Sequence, residues 1–160
     1  MRLTINDLDA DAFAPFGQII GQPASAPQDG GPGWQWWGGL AQMPGPGAYA
    51  IGHLALEPVA PRFDWAERHA HTYELLAPTT DVVIHVAPPD HPDDLGRLPP
   101  LDRFRLFRVR AGQAILLHPK VWHGAPLALT APGHVTVLLA ADTGPENSRV
   151  VRFGGEVLEG

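Results

Sequence analysis

The chain has 160 residues, of which 44% are apolar, 18 are glycine, 18 are proline and none is cysteine. This length and apolar content are typical of a folded chain with one hydrophobic core, and we interpret residues 1–160 as a single domain. The formal charge of −6 argues against a nucleic-acid partner, and the lack of cysteine excludes disulfides, thiolate zinc sites and thiol catalysis.

The N-terminal segment has no apolar run that resembles a signal peptide, and no later run is long enough to span a bilayer. The sequence therefore predicts a cytoplasmic protein with no membrane partner. Asp7–Phe16 predicts one short helix with an Asp or Asn cap, and Phe16–Gly21 predicts a first strand. Gln22–Gly33 is a loop by composition.

The aromatic run Trp34–Trp37 leaves two interpretations open. The tryptophans form a hydrophobic lid or a dimer contact, or they are core residues of a short strand.

Further along the chain, strand patterns recur between Gly or Pro breaks, with no helical period between them. This spacing indicates an all-β antiparallel sandwich or barrel. Arginines alternate with apolar residues in one of these strands, which favours a solvated or dimer-facing surface over a groove for an acid. The predicted strands are Ala48–Leu56, Asp81–Ala87, Arg103–Arg110, Gln113–Leu117, Ala125–Leu129 and His134–Ala140.

A first polar cluster lies in the stretch AERHAHTYELLAP. Residues two apart in a strand face the same side, so Glu67 and His69 project together. Ala70–Thr72 predicts a turn, after which Glu74 returns on the next strand and faces the pair. His71, in the turn, either continues the row of candidate ligands or lies over the rim of the site.

A second cluster lies in GQAILLHPKVWHGAP. An apolar strand ends at His118, the chain turns through Pro119 and Lys120, and it re-enters with Trp122 and His123. We expect Trp122 to point into the core. If both hairpin ends meet, their nitrogen and oxygen ligands suit Zn²⁺, Ni²⁺, Mn²⁺ or Fe²⁺, and no organic cofactor is expected. The candidate metal ligands are His69, Glu74, His123 and Glu67.

Together the two clusters resemble the two cupin motifs. Glu67 stands where cupins carry their first histidine, and His123 falls at the histidine position of the second motif. His118 and Lys120 replace the Pro and Gly of that motif. A narrower resemblance rests on ERH followed by an acid five residues later, on VWH, and on FAPFGQII and ADTGPENSRV near the two ends. These stretches are similar to the ureidoglycolate lyase (ureidoglycolate hydrolase) family.

The resemblance implies a cupin-type double-stranded β-helix barrel with a short N-terminal helix, and a homodimer. It also implies an enzyme that splits ureidoglycolate, a small carboxylic acid, into glyoxylate and urea during the degradation of allantoin and purines. The chain departs from the family at Glu74, where members carry Gln, and at Gly52 and His53, which replace an Asn and an Arg. Trp37-Gly38-Gly39-Leu40 also stands where members tend to have Asn-Gly.

Besides the metal ligands, these observations assign candidate catalytic or substrate-binding roles to seven residues. The candidate catalytic residues are Glu67, His69, His118 and His123, with Glu67 or His118 as the base. The candidate substrate-binding residues are Lys120, His71 and His53. The remaining histidines, His85, His91 and His134, are interpreted as structural or surface groups.

Two alternative functions stay open. One is a metal-dependent cupin hydrolase, isomerase or lyase that acts on another small hydroxy, keto or sugar acid. The other is a cupin that binds a small acid without catalysis, because a fold alone does not fix a function.

Overall fold

The structure is a computed structural model that describes residues 2–45, 47–60 and 62–159, with side chains described as far as residue 154. Short strands dominate it, in keeping with the many glycines and prolines. One helix, Ala10–Phe13 (α1), precedes most of them, and a 3-10 turn covers Leu101–Arg103. The strands are Arg2–Leu3 (β1), Ile5–Asp7 (β2), Gly17–Ile20 (β3), Asp29–Gly31 (β4), Trp34–Trp36 (β5), Tyr49–Leu56 (β6), Arg62–His69 (β7), Glu74–Pro78 (β8), Val82–Ala87 (β9), Arg105–Val109 (β10), Ala114–Leu117 (β11), Trp122–His123 (β12), Leu127–Ala128 (β13), Gly133–Ala140 (β14) and Ser148–Glu159 (β15).

Two sheets carry most of these strands. The larger sheet has the order β1-β15-β7-β12-β9-β10-β2, with β13 also paired to β9. The smaller sheet has the order β3-β11-β8-β14-β6. Strands that are distant in sequence lie side by side in both sheets, and most ladders are antiparallel. This arrangement confirms the predicted all-β fold and is the cupin type of barrel that the sequence resemblance implies.

The main hydrophobic core fills the space between the two sheets. Val82, Ile84 and Val86 contribute to it from β9 of the larger sheet, and Leu76 and Val137 contribute from the smaller one. Because side chains alternate along a strand, the same strands present a second set to the opposite face. Each fully buried side chain of this kind stabilises the fold by about 1.5–3 kcal/mol.

A second hydrophobic cluster covers the outer face of the larger sheet. It includes Phe63, Val83, Phe104 and Trp122, all of which are buried. Trp122 points into this cluster, which confirms the expectation that it lies in a core. The neighbouring His123 therefore faces the interior of the barrel.

The N-terminal helix is shorter than the prediction of Asp7–Phe16. Asp7 belongs to β2, where it lies opposite Arg108 of β10, so the helix starts only after this strand ends. Asp9 caps it, and its Oδ1 accepts hydrogen bonds from the backbone N–H groups of Asp11 (3.1 Å) and Ala12 (3.0 Å). The single helical turn places Phe13 in the main core.

The prediction that Gln22–Gly33 is entirely a loop is wrong, because β4 lies within it. This strand pairs with β5 in a separate two-stranded hairpin, and Gly33 turns the chain with a φ of +84°. The interpretation of the tryptophans as core residues is also wrong for two of them. Trp34 and Trp36 are 52% and 58% exposed on the hairpin.

Two other predictions need correction. The first two residues of Arg103–Arg110 are not strand, because Leu101–Arg103 forms a 3-10 turn and β10 starts at Arg105. No strand was predicted for Ser148–Glu159, yet β15 pairs with β7 along most of that strand. A register shift between Arg152 and Val157 interrupts this ladder.

The arginines on and next to β10 pair with carboxylates of the same chain. Arg110 and Arg108 lie 3.0 Å and 3.9 Å from Asp7, and Arg103 lies 3.4 Å from Asp90. These contacts agree with a solvated surface.

Among the residues that the structure describes, no helix is long and apolar enough to cross a membrane.

Candidate active site

The two polar clusters of the sequence meet inside the barrel. Glu67 and His69 lie on β7, and His123 on the neighbouring β12 stands opposite Glu67. Ligand atoms of these three residues all lie within 4.8 Å of one another. The turn predicted at Ala70–Thr72 separates β7 from β8, which starts at Glu74 and belongs to the other sheet.

Glu74 reaches across the barrel to both imidazoles. Its Oε2 lies 2.8 Å from His123 Nε2 and 3.2 Å from His69 Nε2. All three side chains are buried. The structure therefore brings together the four residues that the sequence predicted as metal ligands, while their roles as ligands stay a prediction.

The spacing of these atoms fits a metal ion. Two nitrogen or oxygen ligands of one divalent ion, each at about 2.0–2.2 Å from it, stand about 2.9–3.5 Å apart. The two distances from Glu74 Oε2 are close to that range. Within the described part of the chain, His123 Nε2 and Glu74 Oε2 are both buried and face each other at 2.8 Å, so an ion can take the place of a proton between them. A cluster of glutamate and two histidines here can hold a metal.

The backbone fixes the orientation of His123. Its Nδ1 lies 3.0 Å from the carbonyl oxygen of Val121. Because a carbonyl only accepts, Nδ1 must carry a proton and donate it. The proton on Nδ1 leaves Nε2 as the atom that faces Glu74, either as a lone pair for a metal or as the second N–H of an imidazolium.

Ser148 fixes the orientation of His69, and no sequence pattern predicted this residue. Its Oγ lies 2.8 Å from His69 Nδ1, since the register of β15 sets Ser148 directly opposite His69. A hydroxyl can donate or accept, so Ser148 holds the ring whichever nitrogen is protonated. The only signal for it in the sequence was the β-branched pair that follows, Val150 and Val151.

The electrostatics of the cluster favour a charged pair when no metal is bound. Burial raises the pKa of Glu74, but the charge and hydrogen bond of His123 and the contact with His69 outweigh it and hold this pKa well below its usual range. Burial lowers the pKa of His123, but Glu74 and then Glu67 outweigh it and raise this pKa to about 9. Near neutral pH, Glu74 is therefore a carboxylate beside an imidazolium.

A cleft of about 560 Å³ opens onto the cluster. Glu67 and His69 form part of its wall, together with Leu139, Thr143 and Ser148. Its size is within the range of small-molecule sites. A larger cleft of about 790 Å³ lies beside α1 and β10, and its lining includes no member of the cluster.

Two predicted residues lie on the turn between β11 and β12. Lys120 has a φ of +68°, so it keeps the left-handed backbone of the glycine that cupins have there, and its N–H donates to the carbonyl of His69 at 2.7 Å. His118 packs against Tyr73 with ring centroids 5.9 Å apart. Its ring has no described contact with the cluster, so the structure places His118 nearby without joining it to the site.

The other two predicted substrate-binding residues differ in position. His71 lies at the rim, with its Nε2 3.6 Å from Asp142 Oδ2. His53 is exposed on β6, and its described contacts are with His134 (Nε2 to Nδ1, 3.1 Å). None of the described contacts of His53 connects it with the cluster.

The sequence of this chain matches the family described as ureidoglycolate lyase over residues 47–157. This range includes all four residues of the cluster. Comparison with curated proteins found no match. Because the family match covers more than half of the chain, the protein belongs to the ureidoglycolate lyase family.

Proposed function

We propose that this protein cleaves ureidoglycolate into glyoxylate and urea at the cluster of Glu67, His69, Glu74 and His123. Family membership supports the reaction, since the family consists of lyases. The observation that carries the assignment to this cluster is the convergence of two imidazoles and two carboxylates at the wall of a cleft.

The chemistry of the substrate explains why such a cluster is sufficient. In ureidoglycolate, one carbon carries a hydroxyl, a carboxylate and a urea nitrogen. When a base removes the hydroxyl proton, the oxygen forms a carbonyl, the C–N bond breaks with its electron pair going to nitrogen, and that nitrogen takes up a proton. The reaction needs a proton acceptor and donor but no covalent intermediate, consistent with a chain without cysteine.

Glu67 is the better of the two predicted bases. It is half-buried and forms part of the cleft wall, where a substrate hydroxyl can reach it. His118 has no described contact with the cluster and is not part of that wall. We infer that Glu67 removes the hydroxyl proton, and that this proton then passes to the leaving urea nitrogen.

His69, His123 and Glu74 are the residues that would hold a divalent metal, with Glu67 as a fourth ligand or, because it is more exposed, as the base. Such an ion supplies Lewis-acid assistance, lowering the pKa of a hydroxyl that it contacts. Two imidazoles with carboxylates suit Ni²⁺, Zn²⁺, Mn²⁺ or Fe²⁺. Ser148 and the carbonyl of Val121 keep the two imidazoles oriented toward Glu74.

The substrate carboxylate needs a cation. Lys120 is the candidate that the sequence predicted, and its backbone N–H donates to the carbonyl of His69. No ion pair of Lys120 is found among the described residues, so its ammonium group is available to an acid. His71 at the rim is the second candidate, and its ion-pair partner is the exposed Asp142.

The test is to incubate the purified protein with each enantiomer of ureidoglycolate and to measure both products. We expect glyoxylate and urea in equal amounts, a lower rate after chelation, and recovery with one of the four metals. Release of ammonia in place of urea would show a hydrolase. No glyoxylate above the uncatalysed background with any of the metals would contradict the proposal.

A second candidate is a lyase or isomerase for another small hydroxy or keto acid. A departure from the family supports this candidate. Where family members carry an Arg, this chain has His53, which faces away from the cluster. Activity measured across a panel of hydroxy, keto and sugar acids separates the two candidates. A strict preference for ureidoglycolate would exclude the second.

We further propose that the protein is a cytoplasmic homodimer. The resemblance to the family supports this, and the exposed Trp34 and Trp36 provide apolar area for a contact between copies. Light scattering during size-exclusion chromatography tests the dimer, and a mass equal to one chain would contradict it.

A further inference from the structure

A second pair of histidines lies outside the candidate active site. His53 on β6 and His134 on β14 are both exposed, and their rings lie nearly parallel, at an angle of 30° with centroids 4.9 Å apart. His53 Nε2 lies 3.1 Å from His134 Nδ1. No ion pair between either ring and a carboxylate is found among the described residues, so the contact is between two imidazoles only.

The separation of the two nitrogens is that of two ligands on one ion. A hydrogen bond between neutral imidazoles holds one proton between two nitrogen lone pairs. Replacing that proton by an ion with bonds of about 2.0–2.1 Å requires an angle at the ion of about 100°. This angle is between those of octahedral and tetrahedral coordination, so the rings need little rearrangement, and water can supply the other ligands.

The backbone under this pair is held firmly. His134 donates its N–H to Thr79 Oγ1 at 3.1 Å, and Thr79 donates its N–H to the carbonyl of His134 at 2.9 Å. His53 lies in the long ladder between β6 and β14, opposite Thr136. Both side chains therefore start from fixed positions, which lowers the entropic cost of chelation.

The pair faces away from the barrel interior. Leu54 and Val135, the next residues along the two strands, pack into the main core, so the histidines between these inward positions point outward. An ion at this pair is therefore bound independently of one at the cluster.

We propose that His53 and His134 form a second, solvent-accessible site for a divalent transition-metal ion of the Zn²⁺, Ni²⁺ or Cu²⁺ class. Two imidazoles without a carboxylate select these ions over Ca²⁺ and Mg²⁺, which require oxygen ligands. β6 is an edge strand of the smaller sheet. The chelate joins this edge strand to β14, so the bound ion stabilises the edge of the sheet.

The test measures Zn²⁺ bound to the full chain by equilibrium dialysis at pH 7.5, followed by thermal unfolding with and without Zn²⁺. We expect His53→Ala and His134→Ala each to bind about one Zn²⁺ fewer per chain than the unsubstituted protein. The double variant is expected to lose no more than either single variant. His91→Ala, which removes a histidine outside both sites, is the matched control and retains all bound Zn²⁺.

The result does not depend on the proposed function, because the variants are compared by difference. Unfolding without metal should be close to that of the unsubstituted chain, and His53→Gln and His134→Gln provide a second set if an alanine variant is less stable. Unchanged Zn²⁺ binding in either single variant would overturn the proposal. Equal binding of Ca²⁺ at this pair would overturn the assignment of the ion class.

Discussion

The inner and outer faces of the larger sheet both bury polar side chains but satisfy them in different ways. On the outer face, Arg68 is 0% exposed, packs over Trp122 and donates hydrogen bonds to the carbonyls of His91, Asp94 and Leu95. On the inner face of the same strand, Glu67 and His69 meet other side chains that can themselves ionise. Partners in the backbone indicate a structural role, whereas ionisable partners beside a cleft indicate chemistry.

Two buried histidines on neighbouring strands, His85 of β9 and His123 of β12, repeat this contrast. His85 Nε2 donates to the carbonyl of Trp65 at 3.1 Å, and its ring stacks on Phe63. Burial and then the nearby charge of His123 lower the pKa of His85 to about 3, so it stays neutral. His123 faces Glu74 and has a raised pKa. The same residue type is thus structural on one face and a candidate catalytic group on the other.

The largest expected effect is on the inner face, from His123→Ala. Loss of this imidazole removes a candidate ligand and the partner of Glu74, so we expect glyoxylate release to fall at least about a hundredfold. The measurement is steady-state turnover of ureidoglycolate, with circular dichroism to confirm folding. Turnover within threefold of the unsubstituted enzyme would show that the cluster is not the site.

On the outer face, Arg68→Met is expected to lower the free energy of unfolding by about 3 kcal/mol or more. The variant leaves three partly buried carbonyls without their donor and removes the cation over Trp122. Urea unfolding measures this change. Arg152→Met is the control, because this exposed arginine should contribute less than about 0.5 kcal/mol; equal losses in the two variants would contradict the contrast.

A smaller effect is expected from Ser148→Ala, which acts on the inner-face cluster only through the orientation of His69. Without the hydroxyl, His69 loses the hydrogen bond that orients its ring, so metal affinity or turnover should fall about 10–100-fold. Ser148→Thr keeps a hydroxyl and should retain most of the function. If alanine and threonine variants behave alike, the hydroxyl does not position His69.

The last prediction concerns acid stability and tests the outer-face histidine. In the unfolded chain His85 takes up a proton below about pH 6.5, but in the folded chain only near pH 3. Between these values the unfolded state binds more protons, so stability falls as the pH falls, by up to about 1.4 kcal/mol per pH unit. Urea unfolding of metal-free protein should show a shallower pH dependence for His85→Gln, and identical slopes would exclude His85 as the cause.

Sequence reasoning placed Glu67, His69, Glu74 and His123 on strands that flank turns, because the two-residue period of a strand and the turn at residues 70–72 are local features. The partners Ser148 and Val121 were not predicted as such, because one depends on the pairing of β15 with β7 and the other on a backbone carbonyl. The direction of His53 was missed for the same reason. It depends on which face of β6 packs against the core.

The measurement that tests the central contrast most directly compares Glu67→Gln with Arg68→Met, two adjacent residues of β7 that face opposite sides of the sheet. Turnover of ureidoglycolate is measured per folded molecule, well below the unfolding temperature of each variant. We predict that Glu67→Gln loses turnover about a hundredfold or more with little change in stability, whereas Arg68→Met keeps turnover and unfolds more easily. The opposite pattern, or full turnover in Glu67→Gln, would contradict this account.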